Sequence, residues 1–583
     1  MRRLYLLPAL LLAACSASVQ TTDPSPPAAV VEVPPLERPV RAVPEAIVLP
    51  GAFEAAIAAG TRTRSGAPGP NYWQQEADYT LEARLFPETH RLEGTARIRY
   101  TNRSPNPLPL LVLELAQNLH AEGALRAEPV EVTGGVSVER VVLDGQELTT
   151  PVQAPPGYMV DGTRLVLGPP APIAPGATAE LEIDWSFVIP QAGAGGRMGY
   201  SEDDLYFLAY WYPAMMVYDD VYGWFTDPFT ATAEFYHGFG DYDLTVEAPE
   251  GWVVMATGAL QNPEAVLAPD VAARMRAAHA SDAPMIVAGP DDAATATSDD
   301  GRLRWRFTAE NVRDVAFSAT RASTWEAART PVGDRDGDGQ TEYTAINTFW
   351  RAQAPLWSEV TRYQQHSITF HSAFTGLPYP WPHMTAVEGA GIIGGGMEFP
   401  MMTLMGDYNA RGDSALYNVT AHELAHMWIP MITGLNERRF AWMDEGATTF
   451  LENQARKDFY PGPDHERGDR DNYLNVARAE QEGEIMRWSN FHYPGPSYGI
   501  ASYSKPGTLL STLRAVLGEE TFMRGYRMFI DRWAYKHPYP YDLFNTFEDA
   551  AGRDLDWFWH SWYFETWTLD QAVAGVTMDG GRA

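Results

Sequence analysis

Three residues in one short run, His422, Glu423 and His426, have the types and spacing for metal-assisted chemistry. The run Asn418-Val419-Thr420-Ala421-His422-Glu423-Leu424-Ala425-His426-Met427-Trp428 meets no Gly or Pro until Pro430, which predicts a helix. Positions i and i+4 of a helix stand one turn apart on one face, so both imidazoles can converge on one ion. Two neutral imidazoles suit Zn²⁺, and Glu423 is left free to handle the proton of a water at the same place. A catalytic zinc site takes three protein ligands and keeps a fourth position open. Glu445, in Trp442-Met443-Asp444-Glu445-Gly446, offers the third. Residues 427–444 give room to end one helix, turn at Pro430 and Gly434, and begin a second. The bland alternative is a chance HExxH on a solvated helix face. The spacing to Glu445 disfavours it.

HExxH followed by eighteen residues and Glu resembles the aminopeptidase N and leukotriene hydrolase family of gluzincin zinc metallopeptidases. The resemblance implies His422, His426 and Glu445 as ligands of one catalytic Zn²⁺ and Glu423 as general base. A second segment, Gly394-Gly395-Gly396-Met397-Glu398-Phe399-Pro400, is similar to the family's substrate strand, with Phe399 where Asn is usual. Glycine lets a backbone approach a ligand closely, and an extended peptide can pair there as an added strand. The resemblance implies Gly395 and Gly396 for that pairing and Glu398 for the substrate's α-amine. A third segment, Ile500-Ala501-Ser502-Tyr503-Ser504-Lys505-Pro506-Gly507, resembles the family's Tyr-x-Lys-Gly stretch, with Pro506 where Gly is usual. It implies Tyr503 as hydrogen-bond donor to the oxyanion of the tetrahedral intermediate, a role that favours the transition state. The family's Gln-bearing segment of the β domain has its nearest equivalent in Tyr206–Pro213, which carries no Gln and is expected to pack in a core.

These side chains need a large scaffold. The chain has 583 residues, 45% hydrophobic and 12% aromatic, enough for two to four cored domains. Tyr79, Leu81, Ala83 and Leu85 alternate with polar residues, Pro87–His90 reads as a turn, and Leu92, Gly94, Ala96, Ile98 and Tyr100 alternate again, which predicts a hairpin. Ala179–Phe187 and Tyr242–Val246 repeat the pattern, so residues 71–325 are expected to be an amino-terminal β domain. Residues 326–583 are expected to be the catalytic domain, with helices from Thr508 packing Leu509, Leu510, Leu513 and Leu517 on one face. Trp557, Trp559, Trp562, Tyr563, Phe564 and Trp567 are expected to add bulky core. The resemblance implies a multidomain chain: a β-sandwich or saddle-like domain, then a thermolysin-like, mainly helical α+β zinc peptidase domain. There is no length for the large helical carboxy-terminal domain of many members, so a more open cleft is expected.

Met1-Arg2-Arg3, the apolar Leu4–Leu12 and Leu12-Ala13-Ala14-Cys15 resemble a bacterial lipoprotein signal of residues 1–14 cut before a lipidated Cys15. The alternative is a plain signal peptide with an incidental Cys. Residues 15–70, rich in proline, are expected to be a tether. This places the protein in a cell envelope, lipid-anchored, at a Gram-negative outer membrane. A net charge of −32 disfavours nucleic-acid binding. Asp334, Asp336 and Asp338 open like a calcium loop, but Ala345 stands at the twelfth position, so a solvated acidic turn is the expectation and structural Ca²⁺ the alternative. The function expected is removal of amino-terminal residues from peptides. A zinc endopeptidase or epoxide hydrolase on the same scaffold, and a non-catalytic peptide-binding lipoprotein, are the alternatives. Nothing in the sequence fixes the preferred first residue or the oligomeric state.

Overall fold

A computed structural model describes residues 43–150, 155–202, 204–462 and 464–568. Cys15, the signal segment and the first part of the expected tether lie outside the described residues. From Pro44 onward the chain forms one compact unit.

The alternating hydrophobic pattern becomes a hairpin in which Glu76–Phe86 pairs antiparallel with Arg91–Thr101. Tyr79, Leu81, Ala83 and Leu85 all face inward, as the two-residue period of a strand demands. Around this hairpin an eight-stranded sheet assembles. Thr178–Val188 flanks Arg91–Thr101, and Gly240–Pro249 runs parallel to Glu76–Phe86. Five- and four-stranded sheets complete the β half. Their inner faces meet the large sheet through buried aromatics: Trp211 packs its ring 5.7 Å from Trp185, and the Tyr79 hydroxyl accepts the Met215 N–H.

The second half is built on a six-stranded mixed sheet ordered Met285–Ala288, Thr324–Gly333, Glu342–Trp350, His383–Glu388, Met402–Met405, Gly396–Phe399. The helix Val360–Thr375 links the parallel pair Glu342–Trp350 and His383–Glu388. Gly396–Phe399 is the last strand, antiparallel to Met402–Met405, so its outer edge is unpaired among the described residues. Helices Asp413–Ala425 and Glu437–Phe459 follow, then a π-helical turn at Ile500–Ser504 and the helices Lys505–Leu517, Glu519–Trp533 and Pro540–Ala551.

Three expectations need correction. Residues 44–70 are not an uncored tether. Gly51–Ala59 is a helix that buries Phe53, ring to ring with Tyr541, and Trp533 Nε1–H donates to the Gly66 carbonyl. Proline-rich composition hid this because the segment has no core of its own and borrows one from the carboxy-terminal helices. The domain boundary at 325 is also crossed earlier, since Met285–Ala288 already belongs to the catalytic sheet and the helix Pro269–Ala278 precedes it. Finally, Trp557 and Trp567 are exposed, while Trp559 and Tyr563 are fully buried. The Leu509, Leu510 and Leu513 face is buried as expected. No helix among the described residues is long and apolar enough to cross a membrane.

Candidate metal centre and substrate cleft

The run around His422 is helical over Asp413–Ala425, and His426 sits in the closing turn with its N–H on the His422 carbonyl. The chain then turns through Met427–Leu435. Asn436 caps the next helix by accepting the Arg439 N–H, and a break at Phe440 (φ −135°, ψ 53°) realigns the chain before Glu445. His422 Nε2 and His426 Nε2 stand 3.2 Å and 3.6 Å from Glu445 Oε2. Ligands bound tetrahedrally at about 2.1 Å lie roughly 3.4 Å apart, so this donor set of two nitrogens and one carboxylate fits Zn²⁺.

The other imidazole nitrogens are fixed from behind. His426 Nδ1–H donates to Asp444 Oδ1 (2.7 Å), and His422 Nδ1 meets Glu452 Oε2 at 3.3 Å. Such partners set the tautomer and leave Nε2 for a metal. Burial drives His426 down to about 3, which keeps it neutral. Burial also opposes charge on His422, but its bonds to Glu445 and Glu452 outweigh that and raise it well above the ordinary range. A dication between these groups would take over the role of that proton.

Glu423 is buried, and its Oε2 has no hydrogen-bond partner among the described residues. Burial pushes its carboxyl up to about 8, with His422 opposing and Glu445 adding. Its other oxygen faces the edge strand: a Cβ on Gly396 would lie 2.2 Å from Glu423 Oε1. Gly396 is therefore required by close approach. Gly395, by contrast, has open space where a side chain would go. Tyr503 projects from the π-helical turn and donates to Glu445 Oε1 at 2.5 Å. π-Helical turns re-aim side chains and are frequent at functional sites. Pro506 packs where a Cβ on Gly446 would come within 2.6 Å, so Gly446 makes room for the proline on the neighbouring helix.

Glu398 is 2% exposed with Oε1 unpartnered, 3.7 Å from His426 Nδ1. Burial raises its carboxyl well above the usual range, and Glu234, Asp444, Glu423 and Glu445 raise it further. Phe399 fills an aromatic cluster with Phe207, Tyr210 and Phe235. The segment Tyr206–Pro213 is core, as expected, except that the buried Tyr210 hydroxyl is unpartnered.

The structure thus brings His422, Glu423, His426, Glu445, Tyr503, Glu398, Gly395 and Gly396 into one cleft. It also adds residues that sequence reasoning missed. Glu234, from the β half, lies within 4.8 Å of Glu398, Glu437 and Asp444, counted ligand atom to ligand atom. Arg197 and Arg313 balance this acidic ring through Glu234 (3.2 Å) and Glu437 (2.7 Å). Asp444 was legible as the neighbour of Glu445, and Glu452 as seven residues further on the same helical face. Glu234 had no local signal. Beside Arg197 and Tyr498 a hollow of about 680 Å³ opens, bordered by Gly195, Gly196 and Thr232. The Asp334 turn is capped by itself: Asp334 accepts the Gly337 and Gly339 N–H groups, and Asp338 accepts that of Gln340.

Two helices present His, His and Glu beside a mixed sheet whose glycine-rich edge is free among the described residues. Residues 361–562 match the model of the peptidase family M1 domain. Among relatives, it is 25% identical over 210 residues to a leucyl aminopeptidase of Saccharolobus solfataricus, covering 33% of this chain and 26% of that protein. It is 23% identical over 228 residues to aminopeptidase M1-C of Oryza sativa subsp. japonica, covering 36% and 25%. The chain thus spans about a quarter of the length of the curated relatives it matches. In fold it is similar to an M1 zinc metallopeptidase from Deinococcus radiodurans, with a TM-score of 0.56 and 16% identity over 88% of this chain and 100% of that one. A mutant of that protein bound to a Tyr-Ser-Ala substrate aligns with a TM-score of 0.56 at 15% identity, over 87% of this chain and 98% of that one.

Proposed function

We propose that this protein is a zinc-dependent peptidase that releases residues from the amino terminus of peptides. The observation that carries the reading is the cleft itself. An ionisable base, Glu423, faces a free strand edge at Gly396, and one buried carboxylate with an unpartnered oxygen, Glu398, waits two residues along that edge. His422, His426 and Glu445 would hold the zinc ion, which when bound supplies Lewis acidity to the scissile carbonyl and to the attacking water. Glu423 takes the proton of that water and delivers it to the leaving amine. The substrate backbone pairs with the Gly396–Phe399 edge as an added strand. Tyr503 turns its O–H from Glu445 toward the oxyanion as charge develops there. Glu398 accepts the substrate's ammonium, with Glu234 close behind it. Binding a cation there relieves the repulsion among these buried carboxylates.

One short peptide, offered with a free and with an acetylated amino terminus, tests this. Stepwise zinc-dependent cleavage of the free form alone is the expected result. Cleavage of both forms would move the reading to an endopeptidase, and cleavage of neither by the zinc-loaded protein would overturn it.

The same reading places the protein on an envelope membrane through lipid at Cys15. It is supported by the Met1-Arg2-Arg3 start, the apolar Leu4–Leu12 and the Leu12–Cys15 motif. Cys15→Ser should move the protein from the detergent phase to the aqueous phase, and an unchanged partition would exclude the anchor. At the Asp334 turn the self-capping supports a solvated turn, and a rise in Tm with millimolar Ca²⁺ would favour the ion instead.

A further inference from the structure

The free edge of Gly396–Phe399 gives the cleft a direction. Glu398 marks the end for the substrate's ammonium, and Gly396, opposite Glu423, marks the place of bond cleavage. Gly395 and Gly394 come next, and nothing lies within 4 Å of where their side chains would be. The edge then leads into a second hollow of about 250 Å³, bordered by Ile393, Gly394, Gly406, Asp407, Tyr408 and Arg411. Its floor is tied to the strand, since the Gly406 N–H bonds the Gly395 carbonyl. Tyr408 belongs to the same buried cluster as Leu416 and Ala421 of the helix that carries His422 and Glu423.

Strands advance about 3.4 Å per residue. A peptide that sets its ammonium on Glu398 and its first peptide bond at Gly396 reaches the end of the strand there, and its second and third residues pass the bend at Gly395 and Gly394, at the mouth of this hollow. What waits there is a cation. The Arg411 guanidinium lies 4.9 Å from the centre of the Tyr408 ring, and among the described residues it has no carboxylate partner within 4.0 Å. Its neighbour Asp407 is engaged elsewhere, accepting the Asn409 N–H at 3.2 Å and the Asn409 side-chain amide at 3.0 Å. In a chain with 75 acidic and 43 basic residues, acidic partners for an arginine are plentiful. The exposed Arg411 gives one hydrogen bond to the Tyr408 phenol, and the rest of its planar fork of donors is available for a carboxylate.

We propose that Arg411 and the hollow over Tyr408 form a carboxylate subsite that receives the far end of a short peptide, so that peptides of three or four residues with a free carboxyl terminus are the preferred substrates. This rests on the peptidase reading above. It adds that both ends of the substrate are measured, the ammonium at Glu398 and the carboxylate at Arg411. The same chemistry would accept an acidic side chain on the third residue, and the test separates the two sources.

The experiment compares kcat/KM of the zinc-loaded protein for Ala-Ala-Ala, for its carboxy-terminal amide, and for Ala-Ala-Glu amide. The free acid should exceed the Ala amide about tenfold, with the difference in KM, equal to about 1.4 kcal/mol. In Arg411→Ala the acid-to-amide ratio should fall to near one, in Arg411→Glu it should invert, and Arg411→Lys should recover part of it, at unchanged Tm. Ala-Ala-Glu amide matching the free acid would assign the subsite to an acidic side chain and overturn the chain-end assignment. Equal cleavage of acid and amide by the unaltered protein would overturn the subsite while leaving the peptidase reading intact. Cleavage of none of the three would remove the peptidase reading and this inference with it.

Discussion

At the scale of single residues, the cleft depends on contacts of a few tenths of an ångström. Glu423→Gln should retain zinc at one ion per chain by metal analysis and lose turnover by about 10²–10⁴-fold, the usual worth of a positioned base. Normal turnover in that variant would dismiss Glu423 as the base. Gly396→Ala is the sharper probe. The added methyl must displace the Glu423 carboxylate, since its Cβ would stand 2.2 Å from Oε1. A shift of that size should cost kcat about 10²-fold with little change in Tm, whereas unimpaired kcat would mean that Glu423 has another working position. Glu398→Ala should impair free-amine substrates much more than blocked ones, and equal impairment would contradict its role as anchor. His422 and His426 were legible locally, as imidazoles one turn apart, whereas Gly396 and Glu398 were legible only through the resemblance of residues 394–400 to the family's substrate strand. Glu234 was not, because it reaches Glu398 only through the packing of two halves of the molecule.

At the scale of elements, the two helices that carry the ligands also carry their supports. Asp444 precedes Glu445 by one residue yet points to the back of His426, and Glu452 backs His422 from two turns further along. Asp444→Asn or Glu452→Gln should weaken zinc binding by about 10–100-fold in a chelator competition, with helix content unchanged by circular dichroism. Retained affinity would make these carboxylates bystanders. The hairpin 76–101 was readable from its period, and the helix around His422 from a run of residues 418–428 free of Gly and Pro. The break at Phe440 and the π-helical turn at Tyr503 were not, because each is imposed by neighbours: Ser489 meets the backbone beside the break, and Gly446 admits Pro506.

At the scale of the whole molecule, the segment after Pro44 ties the β half to the last helices. The Arg62 guanidinium is fully buried and paired to Asp220 at 2.5 Å and Asp542 at 2.7 Å, with Trp533 4.6 Å beneath it. Removing one member of such a network leaves buried charge uncompensated. Arg62→Met should therefore lower stability by about 3–5 kcal/mol in equilibrium urea unfolding, and an unchanged midpoint would show that the network contributes nothing net. Composition concealed this segment, since its prolines and alanines describe a linker, and Asp220, Trp533 and Asp542, all far away in the chain, reveal Arg62 as structural.

That pairing also sets a timetable. Arg62 leaves the ribosome early, and Asp542 follows 480 residues later. At roughly 5–20 residues per second the wait is on the order of 24–96 s. For most of that time the strap has only Asp220 to hold it, because Trp533, Tyr541 and Asp542 have not yet been made. The earliest described part of the chain is among the last to be fastened. Whatever escorts the unfinished chain must shield a segment that meets Asp220 early but Trp533, Tyr541 and Asp542 only at the end.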